Sequence, residues 1–573
     1  MNQTQPLNYF FRKFPVLRWI TGFLFLAIII AFSIILSFKT KPEPKISSLT
    51  PVTGSPGDLI VIKGENFGSS KDTNYVEFEG NNGRNRLTAS SILSWKNEEI
   101  KLILPPNIQD GLVYVGNKDT KSNPKFFANA AFLPQENTEN SISQIPQILS
   151  SSENSKTGIG KVLKLFGKNF GHTREKSKVY FSCERVNPDK NSKKDEKKQS
   201  LEISYIFADE DNSDYIYWSD SEIHVRIPDG ASSGKIYVET LKGLSPSYNI
   251  KLNSKTGTKK FISPKTYVVK VEVDIVDSST DKNSSIIIRC PRPVISVSQP
   301  EVNIIEFSPE PVIQNFQHTV IHQTSSERSA IQKKKFSQNF AVTTYETLTS
   351  VIESQVENYT PDTINYLEYA LEPDYITPCD DEKIISLAKK ITGKEKNPYT
   401  KAKLIYNYML NNFTLLSQTR SEKTSSLDIL NTKTGDAYDF AVCFTSLLRA
   451  SRIPALTDSG VLINPNLKSQ NHWWTEFYIE NVGWIPCDIA IAAGLSYQTW
   501  VKDINVKEFY FGNLDAQHIT FSRGFNDIKA GFSNNKTVYR PKTFALQSIW
   551  EEASGEKIKY SSYWADPVII GVY

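Results

Sequence analysis

The chain has 573 residues, 39% hydrophobic and 12% aromatic, too many for one domain and enough for about three to five packed ones. Its 66 Lys and Arg against 62 Asp and Glu leave a net charge of +4, a near balance that excludes a dedicated nucleic-acid binder with a basic stripe. Five cysteines (Cys183, Cys290, Cys379, Cys443, Cys487) lie far apart without a CxxC, which argues against a disulfide scaffold or zinc module and leaves room for one isolated disulfide.

From Trp19 to Phe38 no side chain is ionisable. As a helix this run is about 30 Å long, the thickness of a bilayer's hydrocarbon core. Arg12, Lys13 and Arg18 precede it, and Lys39, Lys41 and Lys45 follow it. The run is long for the apolar part of a cleaved signal peptide, and no small-x-small cleavage site follows. The expectation is a cytoplasmic N-terminus over 1–18, a single-pass signal anchor over 19–38, and a C-terminal ectodomain outside the cytoplasm.

The next two segments repeat each other. Gly64-Glu-Asn-Phe-Gly68 matches Gly167-Lys-Asn-Phe-Gly171, and each follows an apolar strand. Each is followed by another strand, then by a tryptophan (Trp95; Trp218) and an alternating run ending in Pro105 or Pro228. A glycine and a last strand close both copies at Gly111 and Gly234. Short alternating strands broken by Gly, Pro and Asn are the pattern of a β-sandwich. Gly64, Gly68, Gly167 and Gly171 are expected at φ > 0. This order of elements resembles the IPT/TIG immunoglobulin-like domain, which implies two copies over 44–130 and 145–255 and a spacer or protein-contact role. The charged run from Asn187 to Gln199 reads as a solvated loop.

Residues 264–350 again read as β and predict a third sandwich preceding the C-terminal core. His318 and His322 fall four apart on a predicted strand, facing one side, without a third ligand nearby. No cofactor motif or metal-ligand set emerges, and neither is expected.

Helical periodicity then takes over: Glu382–Ile391, Pro398–Phe413, and a third helix from about Ala437 to Arg449. Strands follow at Trp473–Ile479 and Gly483–Asp488. The motifs Gly435-Asp-Ala-Tyr-Asp-Phe-Ala441, His472-Trp-Trp-Thr-Glu476 and Gly483-Trp-Ile-Pro-Cys-Asp488, followed by Phe511-Gly-Asn-Leu-Asp515, resemble the transglutaminase-like core of bacterial extracytoplasmic proteins over 375–525. Residues 526–573 remain as a C-terminal extension. The resemblance implies an α+β papain-like fold and a Cys-His-Asp triad. In that triad a thiolate at a helix N-terminus attacks an amide carbonyl, the histidine moves the proton and the aspartate orients the imidazole. Carried over, the histidine is His472 and the aspartate is Asp488, but the nucleophile position holds Ala437. Loss of a triad nucleophile costs on the order of a million-fold in turnover.

Two cysteines could replace it. Cys443 lies six residues further along the helix, about 120° off the face of Ala437. Cys487 precedes Asp488 on a strand and points to the opposite face. The expected function is therefore a non-catalytic binding or scaffold protein of a cell envelope. Its groove, around Asp436, Ala437, Trp473, Trp474 and Trp484, would take protein or peptide ligands, cell-wall peptides among them, and no nucleic acid. The alternatives are a cysteine protease or acyltransferase using Cys443 or Cys487 with His472 and Asp488, and a purely architectural C-terminal domain with binding left to the repeats.

Overall fold

The computed structural model describes residues 43–573 except 55–57, 70–73, 81–82, 88–90, 106–107, 109–110, 118–119, 130–144, 155–156, 188–199, 210–212, 280–283, 326–333, 360–366, 421–426, 532–535 and 556–557, and before them only residues 16, 20 and 23–28. The predicted anchor therefore lies largely outside the described residues; Ile20 and 23–28 within it are helical. Among the described residues no helix is long and apolar enough to cross a membrane. The charged loop from Asn187 to Gln199 is also largely outside them. The chain forms two compact units, Met1–Asn140 and Ser141–Tyr573.

The first unit is a β-sandwich. Lys45–Thr50, Leu59–Glu65, Glu99–Ile103 and Ile92–Trp95 lie side by side in one sheet. Tyr75–Gly80, Gly111–Gly116 and Lys125–Asn129 belong to the other, five-stranded sheet. Alternation does the sorting: Ile60, Ile62, Leu102, Val76, Phe78, Val113 and Phe127 turn inward and form the core.

The second copy reproduces the first sheet strand for strand: Gln147–Ser151, Val162–Lys168, Glu222–Arg226 and Tyr215–Trp218. The shared turn explains why the motif recurs. Trp95 Nε1 donates to the Phe67 carbonyl at 3.0 Å, and Trp218 Nε1 to the Phe170 carbonyl at 3.1 Å. Gly68 and Gly171 take φ of 79° and 88°, as expected, but Gly64 and Gly167 are not among the residues with positive φ. The other left-handed position is the asparagine between them, Asn66 or Asn169, each at φ 62°. Gly64 and Gly167 are needed for space instead: a Cβ on either would lie about 2 Å from the carbonyl oxygen of Lys45 or Gln147.

The third β region departs from the prediction of a separate sandwich over 264–350. The strand Gly257–Ser279 pairs antiparallel along its length with Lys334–Val351. It also joins the second copy's sheet through the parallel pairs Arg185–Phe261 and Val186–Ile262. The C-terminal strands Lys559–Trp564 and Val568–Val572 add to the same strand, and Glu551–Ser554 pairs with Ser285–Pro291 in a second sheet. The extension over 526–573 is thus part of this β region. His318 sits at a turn with φ 58°, whereas His322 is buried on the strand Thr319–Ser325, so the two do not share a strand face.

The C-terminal core packs helices Glu382–Thr392, Pro398–Asn412 and Ala437–Ala450 with the sheet Gly483–Cys487, Ser469–Ile479, Ala455–Ile463, His518–Arg523. The Ala437 helix is buried almost throughout, with Phe440, Phe444, Leu447 and Leu448 in the core. A helix that apolar is held by its surroundings, and its polar start becomes the informative end.

Candidate functional site

Asp436 caps the Ala437 helix. Its carboxylate accepts from Asp439 N at 2.9 Å, and Asp439 accepts from Asp436 N at 3.0 Å. Gly435 must be glycine there, because a Cβ would come within 2.9 Å of both Ile429 and Asp439. Both carboxylates are buried, and two cations from elsewhere in the chain neutralise them. Lys542 Nζ lies 2.9 Å from Asp436 and 3.4 Å from Asp439; Arg420 Nε donates to Asp439 at 2.8 Å, and its Nη2 lies 2.7 Å from the same oxygen as an ion pair. Burial pushes Asp436 up, but the hydrogen bonds it accepts and Lys542 outweigh that and hold it below the usual carboxylate range. Burial, then the neighbouring Asp436 charge, raise Asp439 to about 6.

Ala437 is the first residue of this helix and is 8% exposed. It belongs to a buried apolar cluster with Ile376, Tyr438, Trp473, Ala490 and Leu546. Trp473 adjoins His472, and Ala490 lies two residues past Asp488, so the chain around the three positions converges. Leu546 comes from the C-terminal extension and belongs to the same buried cluster as Ala437.

His472 and Asp488 form a buried hydrogen-bonded pair, Nε2 to Oδ2 at 2.5 Å. Asp488 Oδ2 also meets His518 Nε2 at 3.1 Å, and His518 Nδ1 meets Asp515 at 2.8 Å. Tyr510 and Tyr497 donate to the other oxygen of Asp515 at 2.7 and 2.9 Å. The second oxygen of Asp488 accepts from Ile491 N and caps the short helix Ile489–Ala492. Burial pushes Asp488 up, but His472 and His518 together hold it well below the usual carboxylate range. Burial pushes His518 down, yet Asp515 and Asp488 outweigh it and raise it to about 9. His472, Asp488 and His518 each offer an atom within 4.8 Å of the others, a spacing open to a metal ion. Those atoms are engaged in the hydrogen bonds just described.

The predicted groove residues do not share one surface. Asp436, Trp473 and Trp474 are about 1% exposed and Trp484 7%. Trp473 packs beside Ala437, Trp474 lies in the helical core, and Trp484 packs with Leu456 and Tyr478 in a separate cluster. Trp474 stacks near His472, ring centroids 6.1 Å apart at 22°. All five cysteines are free and buried. Burial pushes the Cys443 thiol up to about 12 and Cys487 well above its usual value, so neither presents a thiolate.

Sequence reasoning passed over His518, Arg420 and Lys542. His518 could have been flagged, since it stands three residues after the Asp515 of a quoted motif. Lys542 carries no local signal, being 106 residues from its partner.

Residues 385–489 match the model of the transglutaminase-like superfamily, and residues 44–128 match that of the IPT/TIG domain. An uncharacterized protein of Haemophilus influenzae is 26% identical over 209 residues, 30% of this chain and 55% of that protein, so the chain spans about half of its length. A cyclomaltodextrin glucanotransferase of Bacillus licheniformis is 40% identical over 67 residues, 12% of this chain and 8% of the enzyme. Among solved structures, a candidate cysteine protease from Cytophaga hutchinsonii aligns with a TM-score of 0.35 and 17% identity, covering 55% of this chain and 93% of that one. The periplasmic domain of TgpA from Pseudomonas aeruginosa aligns with a TM-score of 0.22 and 14% identity, covering 37% and 71%. The chain therefore carries an IPT/TIG β-sandwich followed by a C-terminal transglutaminase-like domain.

Proposed function

We propose that this protein is a non-catalytic binding or scaffold protein of a bacterial cell envelope, anchored in the membrane through residues 19–38 with its ectodomain outside the cytoplasm. The observation that carries the reading is Ala437, a methyl group at the helix start where the transglutaminase-like family keeps its nucleophile. Two further features support it. Ala437 is buried in a cluster that includes Leu546, and Lys542 is paired to Asp436, so the chain itself covers the helix start. The cysteines available as substitutes are buried with raised thiol pKa values. The His472–Asp488 pair then serves as a buried structural link. The anchor reading rests on the length and uncharged character of the 19–38 run.

The test is incubation of the purified protein with amine donors and with glutamine-containing or cell-wall peptides. No hydrolysis or transfer is expected. Turnover that disappears on His472→Ala overturns the proposal. Alkylation of Cys443 and Cys487 in the folded protein is expected to be slow near neutral pH; fast labelling of either points instead to a cysteine-type enzyme.

A further inference from the structure

The closed start of the Ala437 helix leaves a binding protein without a groove at its family's usual place. A different cavity, of about 290 Å³, opens within the second unit between the second β-sandwich copy and the transglutaminase-like domain. The sandwich contributes Arg185 and Arg226 to its wall, and the C-terminal domain contributes Tyr369, Tyr478 and Trp484. The three rings form an aromatic corner, with Tyr369 and Tyr478 edge-on to Trp484 at 5.3 and 5.5 Å.

The wall carries Arg185, Arg226, Lys259 and Arg523. It also carries Asp209, Asp214, Asp229, Glu368 and Glu476, but these charges are not evenly paired. Lys259 is paired with Asp229 at 2.6 Å and also donates to the Trp484 carbonyl; Arg523 is paired with Glu476 at 2.7 Å. Arg185 and Arg226 are buried, yet among the described residues neither has a carboxylate at ion-pair distance. Arg185 donates to Ser204 and to the Val297 carbonyl, and Arg226 donates to the Gly160 carbonyl. The Nε of each is buried without an acceptor. Of the remaining acids on the wall, Asp214 is raised to about 7 by burial although the Arg226 charge draws it down in part, Asp209 is half-buried, and Glu368 faces solvent. A buried guanidinium without a carboxylate is costly unless an anion arrives. Carboxylates match its fork, and flat rings suit an apolar side chain beside it.

We propose that this cavity is the ligand site and that it takes the carboxylate of an acidic peptide, with Arg185 and Arg226 supplying the charge and the Tyr369–Tyr478–Trp484 corner holding the neighbouring apolar residue. The proposal rests on the reading of the chain as a binding protein and names its ligand class and its place.

Titration calorimetry on the full-length chain in detergent tests it. The probes are acetyl-Leu-Glu, acetyl-Leu-Gln, acetyl-Leu-Glu-amide and the uncharged acetyl-Leu-Gln-amide. Acetyl-Leu-Glu should saturate one site and bind roughly tenfold or more tightly than the uncharged probe. The two singly charged probes tell a terminal carboxylate from a side-chain one. Arg226→Met should weaken the charged probes by a similar factor. Glu368→Lys, an exposed change that leaves the core intact, should tighten them roughly threefold. Absence of binding, equal binding of the uncharged probe, or indifference to both substitutions overturns the proposal. Should Arg226→Met fail to fold, Glu368→Lys decides alone. Amide turnover by the protein would remove the non-catalytic reading while leaving this binding result to stand or fall by itself.

Discussion

Lys542 and Asp436 meet across 106 residues of chain, Nζ to Oδ2 at 2.9 Å, at the cap of the helix that begins with Ala437. The lysine backbone is in the left-handed region, φ 52°, and its ammonium lies 5.1 Å from the centre of the Tyr438 ring. The C-terminal extension thereby fastens itself to the start of that helix. Leu546, four residues on, fills the adjacent apolar space.

Lys542→Met should destabilise the protein by about 3 kcal/mol, because removing one member of a buried ion cluster leaves its partners unmatched. Arg420 stays with Asp439, which keeps the loss toward the lower end. The deficit should shrink as pH falls from 7 to 5, since protonation of Asp439, whose pKa is already raised to about 6, relieves the unpaired charge. Urea midpoints of the two proteins at both pH values check this. An unchanged midpoint at pH 7 would mean that the pair contributes nothing to the fold.

Ala437→Cys should place a thiol at a helix start, where the backbone dipole favours the thiolate. The native cysteines are buried, so any fast-labelling site in this variant is the new one. With Leu546 in place, labelling should remain slow. Adding Leu546→Ala should raise the rate roughly tenfold or more, because losing a buried leucine contact costs more than enough to open the site locally. Mass-spectrometric alkylation kinetics read the effect. Equal rates in the single and double variants would show that Leu546 does not close the position.

Elements were legible where local periodicity specifies them. The helices found at Glu382–Thr392, Pro398–Asn412 and Ala437–Ala450 fall within two residues of the spans read from apolar spacing. The duplicated turn was legible because its Asn, Phe, Gly and later Trp each answer a local need. Pairing over long distances was not. Nothing local in Arg185 and Phe261 announces a parallel pair, and the edge strands Lys559–Trp564 and Val568–Val572 reveal their partner only in three dimensions. The site divides the same way. Ala437, His472 and Asp488 were readable from motif register, whereas Lys542 and Leu546 arrive from a segment without a motif. Trp473, Trp474 and Trp484 were grouped because they are neighbours in sequence or on paired strands, but alternation and strand position send them to three different clusters.

Gly167→Ala and Gly171→Ala should separate a steric need from a conformational one. A Cβ at Gly167 would lie 2.0 Å from the Gln147 carbonyl oxygen and 2.4 Å from the Phe170 ring, so the strand or the ring must move. That substitution should cost about 2–3 kcal/mol. At Gly171, φ is 88° and the nearest atom is 3.4 Å away, so the cost is the backbone preference, about 1 kcal/mol. Thermal unfolding of the second unit should rank Gly167→Ala as the more damaging of the two.

His518 sets a pH dependence with a definite sign. Its folded pKa is raised to about 9 from the ordinary 6.5, since Asp515 and Asp488 outweigh the effect of burial. A group whose folded pKa is raised adds its full share of stability below the unfolded value and loses it as pH climbs through the folded one. The window is therefore pH 6.5 to 9, and the full shift corresponds to about 3 kcal/mol. His518→Gln keeps a neutral donor toward Asp488 but cannot titrate. The variant should be less stable than the parent at pH 6.5, and the gap should close by up to that amount at pH 9. Denaturant unfolding of both proteins at the two pH values measures the gap. A gap of constant size would place the proton elsewhere in the His472–Asp488–His518–Asp515 chain.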